Sequence, residues 1–285
     1  MEIKTLNHGM VNSLVNLVNE VFSNYVIPIH WTSKGFELDV RENGIELDSS
    51  FMLYENGVPI GFLITALEGH IARIDAMGVI ASKRGTGASE YLMQHALEHL
   101  KWKKINTVTL EVMDLDQRAV KFYKKHGFRV QRELHTLTLE VEDKRPHEYF
   151  YEDATSHTVH ELSYRAQNIF HRIPNWQRTP LTLQRSEERY EKFVVFNGKN
   201  HAHPIGYVVW GENEDNFFIV DMHTITPDVE LIDFACDCFK IIYERCAKKA
   251  LVMANLPVDD PLYRAMIELG AKVAFVQLEM ILDQY

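Results

Sequence analysis

The feature that most narrows the possible folds is a long-period repeat within a chain of 285 residues. Apolar residues flank Asn56-Gly57 in the stretch Phe51–Thr65, and the same pattern returns around Asn197-Gly198. Asn-Gly between apolar runs reads as a hairpin turn, because a type I′ turn needs positive φ at both central residues. Pro-Ile-Gly-aromatic begins at Pro59 and again at Pro204, a shift of 145. Ile74-Asp75 matches Val220-Asp221 at 146, Leu110-Glu111-Val112 matches Leu251-Val252-Met253 at 141, and Gly127 matches Gly270 at 143. A period this long means two copies of one domain, since each copy holds its own strands and helices. The expected domains are 1–143 and 144–285, joined through the polar stretch Glu142–Glu152.

Within the first copy, Val11, Leu14, Val15, Val18, Val21 and Phe22 form the stripe of a core-facing helix. The hairpin strands follow, then a third strand near Ile71–Val79, a helix from Ala88 to Lys104, and an alternating strand at Val108, Leu110 and Val112. A short helix is expected from Asp116 to His126, with Asp116 as N-cap and Gly127 just past its end. Phe128–Val130 and Leu134–Val141 are the expected final strands. Strands and helices in this order predict an α/β (α+β) fold, a central mixed sheet flanked by helices, built twice.

Bulk properties set the function classes aside. A formal net charge of −10 argues against nucleic acid, whose phosphates need a basic face. No apolar run reaches the roughly 18 residues of a membrane span, and the start, Met1–Asn7, lacks the apolar core of a secretory signal. Cys236, Cys238 and Cys246 crowd one helical stretch without disulfide or metal-knuckle spacing, so reduced thiols and a cytoplasmic location are expected.

The segment richest in chemistry is Val79-Ile80-Ala81-Ser82-Lys83-Arg84-Gly85-Thr86-Gly87-Ala88-Ser89, between a strand and a helix. Small residues there let a ligand approach the backbone, and the first helical turn offers unpaired N–H groups and a positive dipole end, which suits a pyrophosphate. A nucleotide P-loop would need Lys where Ala88 stands, and a dinucleotide fingerprint would need Gly where Glu90 stands. The stretch resembles the acyl-CoA-binding loop of the GNAT N-acetyltransferase superfamily, Arg/Gln-x-x-Gly-x-Gly/Ala after Val-x-Pro. Val79, Arg84 and Gly87 match, while Ala81 replaces the Pro and Ser89 the last small residue. Leu110-Glu111-Val112, Ala119, Phe122-Tyr123 and Gly127-Phe128 resemble that family's second block, so the likeness spans about residues 3–140.

The resemblance implies acetyl transfer from acetyl-CoA, as co-substrate, to a primary amine of a small molecule or peptide, without a metal. It implies that Met77, Gly78 and Val79 hold the pantetheine arm and that the amides of Arg84, Gly85, Thr86, Gly87, Ala88 and Ser89 grip the pyrophosphate. Tyr123 stands where the family's general acid protonates the departing thiolate; Asp116 stands where the family prefers an Asn that touches the cofactor. Asp75, two residues beyond the place some members give a Glu, is a candidate base, and its counterpart in the repeat argues equally for a structural role. Tyr25, His30, Glu46 and Asp48 fall in the segment that usually walls the acceptor pocket. A non-catalytic acyl-CoA-binding protein is the alternative.

The second copy lacks Gly-x-Gly after Asp221, and the drop in shift to 141 implies about five residues missing there. At a shift of 143, Tyr123 corresponds to Met266, which has no proton to give. That copy is expected not to bind acetyl-CoA and to stand in for a second subunit, making the chain a monomeric pseudo-dimer or a homodimer. His95-x-x-Glu98-His99 mimics a zinc motif, but on a helix its two His flank the apolar stripe toward solvent.

Overall fold

The computed structural model describes residues 1–23, 30–141, 147–198 and 203–284. Two compact units emerge, and they cross the 143/144 junction expected from the repeat. The first comprises Met1–Val112, Arg118–Gln131 and Glu279–Tyr285; the second comprises Met113–Gln117 and Arg132–Leu278.

In the first unit, β1 (Glu2–Thr5) precedes α1 (Val11–Phe22) and α2 (Ser33–Glu42). The stripe on α1 is buried at Val11, Leu14, Val15, Leu17 and Val18. Neither β1 nor α2 is signalled by a strong apolar pattern; only Phe36 and Glu42 of α2 are buried. Strands β2 (Phe51–Glu55) and β3 (Val58–Glu68) form the hairpin, with Asn56 at φ 51° and Gly57 at φ 81°, as a type I′ turn demands. Strand β4 (Ile71–Val79), helix α3 (Ala88–Trp102), strand β5 (Thr107–Met113) and helix α4 (Gln117–Lys125) follow. Gly127 after α4 has φ 90°, the left-handed conformation that ends a helix. A single strand β6 (Arg129–Glu140) replaces the two short final strands expected.

The strand order is β1-β2-β3-β4-β5, and beside β5 lies the end of β12 (Lys272–Asp283), the last strand of the chain. That end is held by Gln284 N–H on the Asn106 carbonyl (2.7 Å) and by Arg129–Asp283 at 3.1 Å. The core is Phe51, Met52 and Leu53 of β2, Phe62, Leu63 and Ile64 of β3, Leu92, Met93 and Ala96 of α3, and Val108 and Leu110 of β5. Each of these side chains other than Ala96 contributes about 1.5–3 kcal/mol of apolar burial.

The second unit contains β7 (Phe150–Asp153), α5 (Ser156–Phe170), α6 (Pro180–Arg185), β8 (Glu191–Phe196), β9 (Pro204–Glu212), β10 (Phe217–Thr224), α7 (Leu231–Cys246), β11 (Ala250–Pro257) and α8 (Pro261–Glu268). Its strand order is β6-β11-β10-β9-β8-β7. One face packs on α7 and α8 through Phe234, Phe239, Ile242 and Met266; the other packs on α5 and α6 through Val159, Leu162 and Leu183. Asn197-Gly198 is not a two-residue turn, because β8 ends at Phe196 and β9 starts at Pro204. The three cysteines are unpaired, Cys238 buried and the others half-buried. No helix among the described residues is long and apolar enough to cross a membrane.

Candidate active site

The glycine turn closes β4 and opens α3. Gly85 (φ 77°) and Gly87 (φ 88°) both take the left-handed conformation, and nothing lies within 4 Å of where a Cβ would sit on either. The glycines are therefore needed for backbone shape, and the turn is open to solvent. Gly87 caps α3 without a side-chain acceptor, and the first backbone bond of the helix is Tyr91 N–H to the Gly87 carbonyl, 3.0 Å. The amides of Gly85, Thr86, Gly87, Ala88, Ser89 and Glu90 form no hydrogen bond among the described residues. Six consecutive free donors at a positive helix end make an oxyanion cradle. The turn is braced from beneath: Thr86 Oγ1 donates to the Lys83 carbonyl (2.8 Å), Lys83 pairs with Glu55, and Arg84 Nη2 donates to the Val21 carbonyl (3.3 Å).

Strand β4 leads from this cradle to a break in the sheet. It pairs with β3 along its length, but the register skips Asp75: Ile64 faces Ala76 and Thr65 faces Ile74. Asp75 is thus the extra residue of a β-bulge. On the other side, the parallel ladder to β5 stops at Ile74 opposite Leu110. The edge of β4 from Asp75 to Val79 is left unpaired there among the described residues, a strip to which an extended ligand can add like a strand.

Charges gather where the strands part. Arg73 is 8% exposed, with Nη1 at 3.1 Å from Asp75 and Nη2 at 3.5 Å from Glu111 on β5. Its Nε is buried without a partner. Burial works against the guanidinium charge, but Glu111, Asp75, Glu279 and Asp39 outweigh it and hold the Arg73 pKa above its ordinary value. The pKa of Asp75 is raised, by burial first and by Asp39 and Glu111 after, against the pull of Arg73. A carboxylate with raised proton affinity beside an open strand edge is equipped to accept a proton.

Met77 and Gly78 are half-buried and Val79 is buried. Gly78 has a packing reason: a Cβ there would come within 2.5 Å of Val21 on α1 and 3.2 Å of the Phe62 ring. The close approach expected at this glycine is thus made by a helix of the protein itself. Tyr123 lies on α4, half-buried, with its ring 5.4 Å from Phe122 and 5.9 Å from Phe128. Asp116 immediately precedes α4 and falls in the second unit. Tyr25 lies outside the described residues. His30 and Glu46 are exposed, and Asp48 pairs with Lys103 at 3.1 Å, below the end of α3. His95 and His99 both stand edge-on to Phe51, with ring centres 4.7 and 5.2 Å away. Sequence reasoning missed Glu111 and Glu279 as members of the charge cluster. Glu111 had a signal, a charge inside an alternating strand.

The second unit repeats the bulge and the break but fills the gap. Gly61 faces Val79 and Gly206 faces Thr224, so the backbone registers of the two hairpins coincide at a shift of 145 throughout. The skipped residue of β10 is Val220, which makes Val220 the counterpart of Asp75, and Asp221 the counterpart of Ala76. The pairing of Asp75 with Asp221 read from the sequence is corrected by one residue, and the repeat no longer argues that Asp75 is structural. Phe218 lies beside Val252 as Arg73 lies beside Thr109, a shift of 143 rather than 141. The turn after β10 is therefore two residues shorter, not five. Where the first unit leaves an opening, Arg172 bridges Asp221 (2.8 Å) and Asp260 (3.0 Å), and Tyr207 donates to Asp221 (2.5 Å). Arg178 reaches across to the carbonyl of Ala254, 2.5 Å, at the position equivalent to Glu111. Met266, the counterpart of Tyr123, is fully buried.

A cradle of amides at a helix start, an open strand edge and a bulge carboxylate thus lie along one strand and the turn that follows it. Residues 12–128 match the Acetyltransferase (GNAT) family. A GCN5-related N-acetyltransferase from Sphaerobacter thermophilus shares the fold at TM-score 0.71 and 12% identity, over 99% of this chain and 95% of that one. A tandem GNAT protein from the clavulanic acid biosynthesis pathway does so at TM-score 0.71 and 12% identity, over 99% and 98%. A GCN5-related N-acetyltransferase from Anabaena variabilis gives 0.68 and 17%, over 98% and 72%. At these identities the likeness is one of fold. No curated protein sequence matches. The family match covers residues 12–128, and the whole chain has the fold of two GNAT-like domains in tandem.

Proposed function

We propose that the first unit transfers an acetyl group from acetyl-CoA to a primary amine of a small molecule or peptide, by direct attack in a ternary complex. The observation that carries this reading is the row of free amides from Gly85 to Glu90 leading to the unpaired edge of β4. In this reading the pyrophosphate of the co-substrate sits on the amides of Gly85 to Ser89, and its pantetheine arm adds to the backbone of Met77, Gly78 and Val79. The amine nitrogen attacks the thioester carbonyl, the carbon–sulfur bond breaks, and the amide forms. Tyr123 gives its proton to the departing thiolate, and Asp75 takes the surplus proton of the amine, directly or through water. A half-buried carboxylate with raised proton affinity suits that second step. The second unit is read as non-binding, because Arg172 and Arg178 occupy its equivalent opening and its turn is shorter.

The test is turnover of acetyl-CoA against a panel of amines, with calorimetry of CoA binding and Tyr123→Phe alongside. Binding with turnover, and a kcat lowered by Tyr123→Phe at unchanged affinity, supports the reading. Binding without turnover of any amine favours a protein that kept the fold for ligand binding alone, and absence of binding overturns both.

A further inference from the structure

In the second unit one cluster of titratable side chains is ordered as a relay. Glu133 and His135 stand two positions apart on β6, so strand alternation puts them on one face. His135 Nε2 lies 3.0 Å from Glu133 Oε2, and its Nδ1 lies 2.9 Å from the Tyr263 hydroxyl on α8. An ionised carboxylate only accepts, so Nε2 carries the proton of the neutral ring and Nδ1 accepts the hydrogen bond that Tyr263 donates. All three residues belong to the second unit, and both of their elements are fixed. His135 faces Leu256 and Leu134 faces Pro257 in the ladder of β6 with β11, and the Val258 N–H donates to the Glu133 carbonyl, 3.2 Å. Tyr263 sits in the first turn of α8, which Asp260 caps by accepting from the Leu262 N–H at 2.9 Å. The His135 side chain is 12% exposed, Tyr263 is half-buried and Glu133 is open to solvent.

We propose that Tyr263, His135 and Glu133 form an acyl-accepting site of the second unit, in which the Tyr263 oxygen attacks the carbonyl of a small activated ester or thioester. This chemistry needs nothing from the first unit and stands apart from the acetyl transfer read there. A hydroxyl within hydrogen-bond reach of a base, with the base oriented by a third group, is the arrangement that makes a nucleophile. The Tyr263 oxygen bonds to the acyl carbon while its proton passes to His135 Nδ1. The bond to the ester oxygen or thioester sulfur breaks, and the leaving group departs with the electron pair and takes the proton from His135. Glu133 keeps the imidazole in the accepting tautomer and steadies its charge while it holds two protons. The product is an O-acyl tyrosine; water then attacks it, His135 again taking a proton, and the acid and the free hydroxyl return. Tyr207 gives the contrast: its hydroxyl also meets an acceptor, Asp221, but the residue is fully buried, beyond the reach of an ester. A Tyr263 that merely pinned α8 to β6 would react more slowly than an exposed tyrosine, being half-buried and already hydrogen-bonded.

The experiment treats the full-length protein with 4-nitrophenyl acetate near neutral pH, quenches it in acid at short times and reads acetylation of each tyrosine by peptide mass spectrometry. Tyr164 and Tyr91, 57% and 45% exposed, serve as internal standards in the second and first units. The expected result is Tyr263 acetylated about tenfold or more faster than Tyr164, within the roughly 10²–10⁴-fold that one acid–base group supplies. In His135→Gln the rate at Tyr263 should drop below that of Tyr164, and in Glu133→Gln it should drop severalfold, with Tyr91 unchanged. Tyr263 reacting no faster than Tyr164 in the wild type overturns the inference, because the three residues are then a tie alone. Equal rates at Tyr263 in wild type and His135→Gln overturn it as well. The wild-type comparison decides the matter where a substitution unfolds the second unit, an event that a changed rate at Tyr164 would report.

Discussion

Arg73 and Asp75 stand two positions apart on β4, and their charged groups meet at 3.1 Å at the point where β4 and β5 separate. The bulge makes Asp75 an extra residue in the ladder with β3, and burial together with Asp39 and Glu111 raises its proton affinity against the pull of Arg73. The pair is an arginine and a carboxylate of raised proton affinity, side by side at the break.

Asp75→Asn keeps the size of the side chain and removes its basicity. The expected outcome is a fall in kcat of about 10²–10⁴-fold with a primary amine, the range for loss of one acid–base group. Affinity for CoA by calorimetry should stay within a factor of a few, because Asp75 lies away from the amide cradle.

Gly87→Val tests the cradle. A Cβ at Gly87 meets no neighbour within 4 Å, so any effect comes from the φ of 88° that a β-branched residue resists. A strain of about 1–2 kcal/mol is expected, read as CoA affinity weakened by roughly tenfold. An unchanged dissociation constant would mean that the amides of this turn do not hold the phosphates.

Arg172→Met removes the guanidinium that bridges Asp221 and Asp260 in the second unit. Two buried carboxylates and the Tyr207 hydroxyl then lose their common partner. Loss of about 3–5 kcal/mol in urea unfolding is expected, the cost of leaving a buried charge unpaired. The acetyl-CoA affinity of molecules that remain folded should be unaffected.

His223 gives a signature in the acid range. Its Nδ1 lies 2.9 Å from the Thr224 carbonyl, and burial, aided by Arg172, lowers its pKa from 6.5 to about 4. In that interval the unfolded chain takes up a proton that the folded chain refuses. Stability present above pH 6.5 is therefore lost as the pH falls toward 4, by about 3 kcal/mol. His223→Asn, which keeps a donor for Thr224, should show a flatter dependence over this range in chemical denaturation.

Much of the fold could be read from residue patterns, and the reasons are local. Asn56-Gly57 dictates its turn, the stripe on α1 dictates its buried face, and Gly85 and Gly87 sit where positive φ is required. What stayed hidden depends on which strand lies beside which. The bulge at Asp75 leaves no mark in composition, and matching by residue identity slipped by one onto Asp221 because both hairpins skip a residue. Helix α2 was missed because its sequence offers only Phe36 as a buried apolar anchor. Glu279 lies more than 150 residues from the arginine it acts on, beyond the reach of any periodicity.

The placement of Glu279–Tyr285 in the first unit bears on how such a chain is made. During synthesis the flank of β5 emerges early and must wait for the closing strand until the second unit, Arg132–Leu278, has been translated. Over that interval an unsatisfied strand edge is a template for pairing with neighbouring chains. Folding of this unit is therefore expected to finish only after the second unit has been made, and a polypeptide stopped before residue 279 should be recovered largely as aggregate.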